Sequence, residues 1–361
     1  MHVVMLNRYG RLGASSRVRT LQYIPQLSAR GISAEPLPLL PDEYLRGKYA
    51  GQKRALVAAQ SYLRRIGWFL TRAQRADLLW VEKELFPFLP FSLEALLLPR
   101  GVPMVVDFDD AIFHNYDQHN SPFVRWLLGD KIDRLMRRAD AVIAGNDYLA
   151  ERARRAGARQ VIIVPSVVDM TVYDLDRAGR PTDDGLTIGW IGSPSTYQSF
   201  IVPMLPMLRR VMARHGARLM LVGAGPDAAP APGIEVYPWS EESEQDMLHR
   251  MSVGIMPLAS TPWAMGKCGY KLIQYMAARV PVVASPVGVN GQIVRGGENG
   301  YLASTETEWE NALAQLLSDP IRRVRMAEVG HGIATAEYSL QRWAPELVDF
   351  LASFIKNKNM N

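Results

Sequence analysis

Little in this chain can form a covalent or metal cross-link. It has a single cysteine, Cys268, which excludes an intramolecular disulfide and a cysteine cluster for zinc. Packing as a small apolar residue is the expected use of its side chain. No uncharged run is long enough to span a bilayer. Met1-His2 leads straight into a strand pattern, so no signal peptide is expected. A soluble, cytoplasmic protein is the expectation. The loop after that first strand is not closed by Gly-Lys-Ser/Thr, so it is not a Walker A loop. One more absence is local: from Arg46 to Arg75 there is no acidic residue.

What is present is an ordinary globular composition. A length of 361 residues makes two domains the natural prior, and a hydrophobic share of 48% is ample for their cores. Helical and strand patterns alternate along the chain, which predicts α/β architecture. The Gly, Pro and Asp content of residues 171–185 predicts a linker between an N-terminal domain over 1–170 and a C-terminal domain over 186–339. A last helix is expected over 340–356, followed by a frayed tail. A net charge of +5 suits anionic partners such as phosphates, anionic lipid or nucleic acid.

The stretch from Met256 to Leu302 carries the densest signal. A strand ends near Leu258, and a loop with Pro262, Gly266 and Gly269 follows. A short helix is predicted over Tyr270–Ala278, then a buried strand over Val280–Ser285, then a glycine turn through Gly288 and Gly291 into another helix. In an open α/β sheet, ligands sit beyond the carboxyl ends of the strands. Helix N-termini there present unpaired amides and a positive dipole end, which suits phosphate. Lys267 and Lys271 lie four apart and would face one ligand if that turn is helical. A solvated lysine pair on a helix face accounts for the spacing equally well.

The run Lys271-Leu272-Ile273-Gln274-Tyr275-Met276-Ala277-Ala278, then Val280-Pro281-Val282-Val283-Ala284-Ser285, Gly288 and Glu298-Asn299-Gly300 resembles the C-terminal signature of family 4 glycosyltransferases of the GT-B fold. In that family a helix ending in Ala-Met-Ala precedes a Pro-Val-Val-Ala strand, a Gly turn and an Asn-Gly-Tyr/Phe-Leu motif. Pro165-Ser166-Val167-Val168-Asp169 likewise resembles the family's Pro-Asn-Gly-Val-Asp turn. The resemblance implies an α/β fold of two Rossmann-like, doubly wound domains facing a cleft, with the last helix returning to the N-terminal domain. It implies transfer of a sugar from a nucleotide diphosphate-sugar to a glycan or lipid-linked acceptor. It further implies retention of configuration, no metal or other cofactor, and a place in cell-surface polysaccharide or glycolipid synthesis.

The chain departs from the family pattern in two places. The usual two glutamates, separated by seven residues, fall on Gly266 and Gln274. The usual Arg and Lys after the Gly192-Ser193 turn are missing. These departures motivate an alternative, a catalytically inactive nucleotide-sugar-binding or partner subunit of the same fold. A nucleotide-sugar epimerase of the GT-B fold is a third reading. Gly223-Ala224-Gly225 is too weak a match to a dinucleotide fingerprint to imply NAD.

By resemblance, Lys267, Lys271 and the backbone around Cys268, Gly269 and Tyr270 would hold the donor diphosphate. Gln274 would hydrogen-bond a ribose hydroxyl, Gly192 and Ser193 would line the donor site, and Trp239 would lie beside the base or simply in the core. Gly13 and Arg17 of the first βα loop would approach the donor phosphates, Arg17 through a bidentate guanidinium. Ser16 and Arg19 are further candidates there, where a helix is expected from about Arg17 to Arg30, and solvated first-turn arginines are the alternative. Asp109 and Asp110 follow the strand Met104–Asp107, with His114 in the same loop. They are the candidate catalytic groups, able to orient or deprotonate an acceptor hydroxyl. Capping of a helix at Ala111 would also use one of the aspartates.

The acid-free segment 46–75 carries Arg46, Lys48, Lys53, Arg54, Arg64, Arg65, Arg72 and Arg75, interleaved with Leu56, Tyr62, Leu63, Trp68, Phe69 and Leu70. A basic amphipathic helix with aromatics reads as a membrane-surface element, attracted to anionic lipid at the inner face of the membrane. An ordinary surface helix is the alternative. No nucleic-acid-binding module is visible.

Overall fold

The computed structural model describes residues 1–49, 51–52, 54–173 and 185–358. The chain divides into two compact units. The first comprises Met1–Ser166, Met265–Cys268 and the chain from Trp343 on; the second comprises Val167–Ala264 and Gly269–Arg342. The expected linker falls largely on 174–184, outside the described residues. Just before it, Met170–Tyr173 forms a helical turn.

Each unit is built on a six-stranded, all-parallel sheet. In the first unit the strands are β1 (His2–Leu6), β2 (Ser33–Pro36), β3 (Leu78–Glu82), β4 (Met104–Phe108), β5 (Ala141–Ala144) and β6 (Val161–Ile163). Their order across the sheet is β2-β1-β3-β4-β5-β6. In the second unit they are β7 (Thr187–Ile191), β8 (Arg218–Val222), β9 (Ile234–Tyr237), β10 (Val253–Met256), β11 (Val282–Ala284) and β12 (Gly300–Leu302), in the order β12-β11-β10-β7-β8-β9. The central strands are predominantly apolar because parallel sheets are covered on both faces. Every residue of β3, β4, β5, β7, β10 and β11 is buried.

This order has a functional consequence. In the second unit the strand sequence reverses direction between β7 and β10, and in the first between β1 and β3. At such a reversal the loops leave their strands to opposite faces of the sheet and open a crevice at the carboxyl edge. The loops after β7 and β10 carry Gly192-Ser193 and Leu258–Gly269. The loops after β1 and β3 carry Asn7–Gly13 and Lys83–Pro90.

Two expectations need correcting. A single helix from Arg17 to Arg30 is not formed. Ala14–Arg19 is helical, Leu21–Tyr23 is a 3₁₀ turn, and Ile24–Ala29 starts a new helix with Pro25 in its first turn. Proline has no N–H to bond back to the preceding turn, so the ladder restarts there. The basic segment is also not one helix: Asp42–Tyr49 and Ala55–Thr71 are separate. Its Trp68 and Phe69 are buried core residues. Arg65 is buried as well, and donates to the carbonyls of Leu85 (3.2 Å), Asn7 (2.6 Å) and Leu37. Burial pushes its guanidinium down to about 9.

Candidate functional site

In the second unit, the eight-residue helix Tyr270–Ala277 starts at the switch point. Its N-cap, Gly269, has φ +65°, a left-handed conformation that favours glycine. A β-carbon there would also collide with Ile293. Lys271 projects from the first turn and is half-buried. Its ammonium lies 4.7 Å from the centroid of the Trp190 ring, at the end of β7, a cation–π contact. Gly192 is the next loop residue but one. A β-carbon at Gly192 would stand 2.7 Å from the Lys271 Nζ, so glycine is what lets the lysine cross this turn. Ser193 N–H donates to Thr196 Oγ1 at 3.1 Å, closing the turn that follows. Tyr270 packs against the hydrophobic core as a half-buried residue.

One turn further on, Gln274 is buried. Its Nε2 donates to Glu244 Oε1 at 2.6 Å. The other oxygen of Glu244 accepts the indole N–H of Trp239, also at 2.6 Å. A carboxylate is thus brought to Gln274 from another helix, Glu244–His249. Because Gln274 commits its NH₂ to Glu244, its carbonyl oxygen is the end left to meet a further donor, such as a hydroxyl. Trp239 is tethered by its N–H rather than simply packed. Sequence reasoning missed Glu244, which sits in an acidic stretch, Glu241-Glu242-Ser243-Glu244, with no periodicity to mark it.

In the first unit, charge is concentrated where β3 and β4 end. Lys83 has φ +66°, uncommon for a residue with a side chain. Its Nζ lies 2.8 Å from Asp109 Oδ1, 3.2 Å from Asp110 Oδ2 and 2.9 Å from Ser15 Oγ. Lys267 lies 2.6 Å from the other oxygen of Asp110. Burial alone would raise the Asp109 carboxyl, but Lys83 and Arg19 outweigh it and hold it at about 2. Asp109 is therefore held as an anion, not as a ready acid, and Asp110 lies between the two ammonium groups of Lys83 and Lys267. Lys83 was not among the residues expected from sequence; its place after β3, at the switch point, was the available signal.

Several expected site residues are engaged inside the unit. Arg17 is buried and donates to the Arg11 carbonyl at 3.1 Å. Arg19 is buried too, bonding Asp107 Oδ1 at 2.8 Å and the Val164 carbonyl at 2.9 Å. Neither is the solvated first-turn residue of the alternative reading. Gly13 is pressed on Tyr9, whose β-carbon would lie 2.5 Å from an added one. His114 has both ring nitrogens committed, to Asp117 Oδ1 and to the Tyr148 hydroxyl, each at 2.8 Å. Those two contacts fix the orientation of the ring within the loop.

The segment Met265–Cys268 groups with the first unit, and Asn146 Nδ2 holds it through the carbonyls of Met265 (3.3 Å) and Lys267 (3.1 Å). Cys268 is buried with its thiol 3.2 Å from the Asp109 carbonyl, and burial pushes the thiol up. It is a packed thiol, not a thiolate. At Gly266 a β-carbon would stand 2.6 Å from the Ala111 backbone nitrogen, so no side chain fits where the family carries its first glutamate. Among the described residues no three His, Cys, Asp or Glu stand together as a metal-binding group.

Residues 4–166 match the family described as Glycosyl transferase 4-like domain, and residues 185–319 match Glycosyl transferases group 1. The chain belongs to the family 4 glycosyltransferases of the GT-B fold. A D-inositol 3-phosphate glycosyltransferase of Stackebrandtia nassauensis is 26% identical over 235 residues, 57% of this chain and 52% of the relative. The chain thus spans about half the length of that curated relative. Among solved structures, sucrose-phosphate synthase of Thermosynechococcus elongatus superposes with a TM-score of 0.73 at 13% identity, over 99% of this chain and all of that one. Anabaena Alr3699/HepE in complex with UDP-glucose gives a TM-score of 0.67 at 15% identity, over 98% of this chain and all of that one. At these identities the structural likeness establishes the fold.

Proposed function

We propose that this family 4 member is a retaining, metal-independent glycosyltransferase. It moves a sugar from a nucleotide diphosphate-sugar to a glycan or lipid-linked acceptor on the cytoplasmic side of the membrane, in cell-surface polysaccharide or glycolipid synthesis. The observation that carries the donor half is the β7–β10 switch point, where Lys271, Gly192 and the amides after Gly269 converge. An anionic diphosphate is stabilised there by helix-terminal N–H groups and one fixed cation. Gln274, oriented by Glu244, presents a carbonyl oxygen to a ribose hydroxyl. Charge that builds on the departing diphosphate meets groups already in place, so little reorganisation is needed. Lys83, Asp109 and Asp110 form the polar wall where an acceptor hydroxyl is oriented. The HepE complex with UDP-glucose supports this donor class by analogy.

One observation favours the alternative of a non-catalytic relative: both aspartates are held by lysines. The two readings separate by experiment. Thermal unfolding is measured with a panel of nucleoside diphosphates and their sugars, and donor hydrolysis is measured alongside. A ligand at a hundredfold excess over its Kd stabilises by about 2.7 kcal/mol. A shift with one base, lost in Lys271→Ala, supports the donor site. Hydrolysis or transfer of the sugar supports turnover, and a shift without either supports the binding relative. No shift with any nucleotide overturns the donor site.

A further inference from the structure

The first unit exposes a set of large apolar side chains that its own core does not need. Leu56, Leu63 and Leu70 are 80%, 69% and 72% exposed. They lie seven apart on the helix Ala55–Thr71, so they form one stripe about 21 Å long. Tyr62 of this helix donates to the Pro87 carbonyl at 2.8 Å, fixing it against the loop that carries Phe88. Phe88, held at φ +57° and exposed, stacks edge-on with His119. The carbonyl of His119 in turn accepts from Arg125. Arg125 lies between Phe123 and Trp126, which are 64% and 78% exposed with ring centroids 5.9 Å apart. Leu93 and Leu96 of the helix Phe91–Leu97 are exposed as well. These contacts tie the helix that carries the leucine stripe, through the Pro87-Phe88 loop and His119, to the segment that carries the aromatic pair.

The charge of this surface has one sign. Between 46 and 75 there is no acid, between 118 and 129 there is none, and between 85 and 106 the one acid is Glu94, which is buried. Arg64, Arg72, Arg100 and Arg125 are exposed on the same three stretches. Soluble proteins rarely leave a contiguous apolar patch of this kind uncovered. Large apolar and aromatic side chains rimmed by arginine, without carboxylates, match the boundary of an anionic bilayer, where rings sit at headgroup depth and cations meet phosphate. The absence of carboxylates removes the repulsion that an anionic lipid surface would otherwise meet. No described helix is long and apolar enough to cross a membrane, so contact is with one leaflet.

We infer that this face docks on anionic phospholipid, with Phe123 and Trp126 as the inserted wedge and the Leu56–Leu63–Leu70 stripe lying along the interface. The expectation from sequence had placed the aromatic anchors at Trp68 and Phe69, which the structure buries. The inference stands on the first unit alone, and vesicle binding is read without turnover, so its failure and the failure of the glycosyl-transfer reading are separate results.

The test is flotation of the full chain with vesicles of phosphatidylcholine alone or mixed with phosphatidylglycerol, at low and raised salt. Of the eight tryptophans, all among the described residues, only Trp126 is exposed. A blue shift and quenching by brominated lipid therefore report its insertion. Binding should require phosphatidylglycerol, weaken with salt, and quench Trp126. Arg64→Gln with Arg72→Gln should weaken it by about fivefold for each cation removed. Leu63→Ser with Leu70→Ser should weaken it while leaving the reporter in place, and Phe123→Ser with Trp126→Ser should abolish it. All are surface changes, so unchanged thermal unfolding is the control. Three results would overturn the inference: no binding that depends on phosphatidylglycerol, binding unaffected by all three pairs, or self-association through Phe123 and Trp126 without affinity for vesicles.

Discussion

Gln274→Glu is the substitution that would restore the second glutamate of the family pattern, and the structure predicts that it damages the protein. In the native chain a neutral amide donates to Glu244 across 2.6 Å. The variant places two buried carboxyl groups at that distance. Two charges about 4 Å apart in a partly polar interior repel by about 4 kcal/mol. The pair escapes by keeping one proton. Holding a proton at pH 7 on a group whose unfolded pKa is about 4.3 costs about 1.4 kcal/mol per pH unit, again close to 4 kcal/mol. Either route gives a loss of roughly 4 kcal/mol at neutral pH, or a fall in Tm of about 8–16 °C for a unit of this size. The sign follows from linkage. The shared carboxyl has a raised folded pKa, so the stability it retains is complete below about pH 4.3 and is lost as pH rises through that raised value. The Tm gap between variant and native chain should therefore close as the solution is acidified. The exchanged pair, Glu244→Gln with Gln274→Glu, restores one amide and one carboxylate and should recover most of the loss. A Gln274→Glu variant as stable as the native chain at pH 7, or no recovery in the exchanged pair, would refute the direct contact.

Gly266→Glu, the other restoration, should destabilise by about 1–3 kcal/mol through overpacking on Ala111, read by denaturant unfolding, and should not raise any transferase activity. Lys83→Met leaves Asp109 and Asp110 without their shared cation and should cost about 3–5 kcal/mol. It should also lift the Asp109 carboxyl from about 2; a depressed carboxylate contributes stability that is complete above its unfolded value of about 3.9 and is lost as pH falls through its folded pKa, so the stability gap between native chain and variant should be full at neutral pH and narrow as the solution is acidified from about pH 4 towards pH 2. Glu84 and Glu94 share the buried Lys131, at 2.7 and 2.9 Å, and burial, only partly offset by Lys131, pushes Glu94 up to about 7. This raised group gives stability that is complete below about pH 4.5 and lost as pH rises to about 7, so Glu94→Gln should flatten that slope in a pH series of thermal unfolding.

The sheets were readable because their information is local. Val3–Leu6, Leu78–Val81, Val105–Val106 and Val282–Ala284 are apolar runs between turn signals, and a parallel sheet covered on both faces demands such runs. Gly192 could be placed after a strand and Gly269 before a helix from the same signals, and the structure gives each a reason: the path of Lys271 in the first case and a left-handed cap in the second. What sequence left hidden is pairing between distant segments. Lys83 meets Asp109 and Asp110 only because β3 and β4 are neighbours, and Glu244 meets Gln274 only because two helices converge. Neither partner carries a periodic or motif signal of its own. The basic segment shows another limit, because its local pattern does not say which of its aromatic side chains the core takes up: Trp68 and Phe69 are buried. Composition marks Trp68, Phe69 and Trp126 alike as bulky apolar residues beside arginine. Only packing separates the two that fill the core from the one that does not.

The replaced glutamates follow from the same pairing. At Gly266 the backbone of Ala111 leaves no room for a side chain. At Gln274 a carboxylate is supplied by Glu244 on a neighbouring helix, which accepts from the amide nitrogen and so turns the amide. A second carboxylate beside Glu244 would need a proton or would repel, whereas an amide is held by it. The change from Glu to Gln at 274 and the presence of Glu at 244 are therefore one feature of the site. They should be judged by the exchanged pair rather than by either substitution alone.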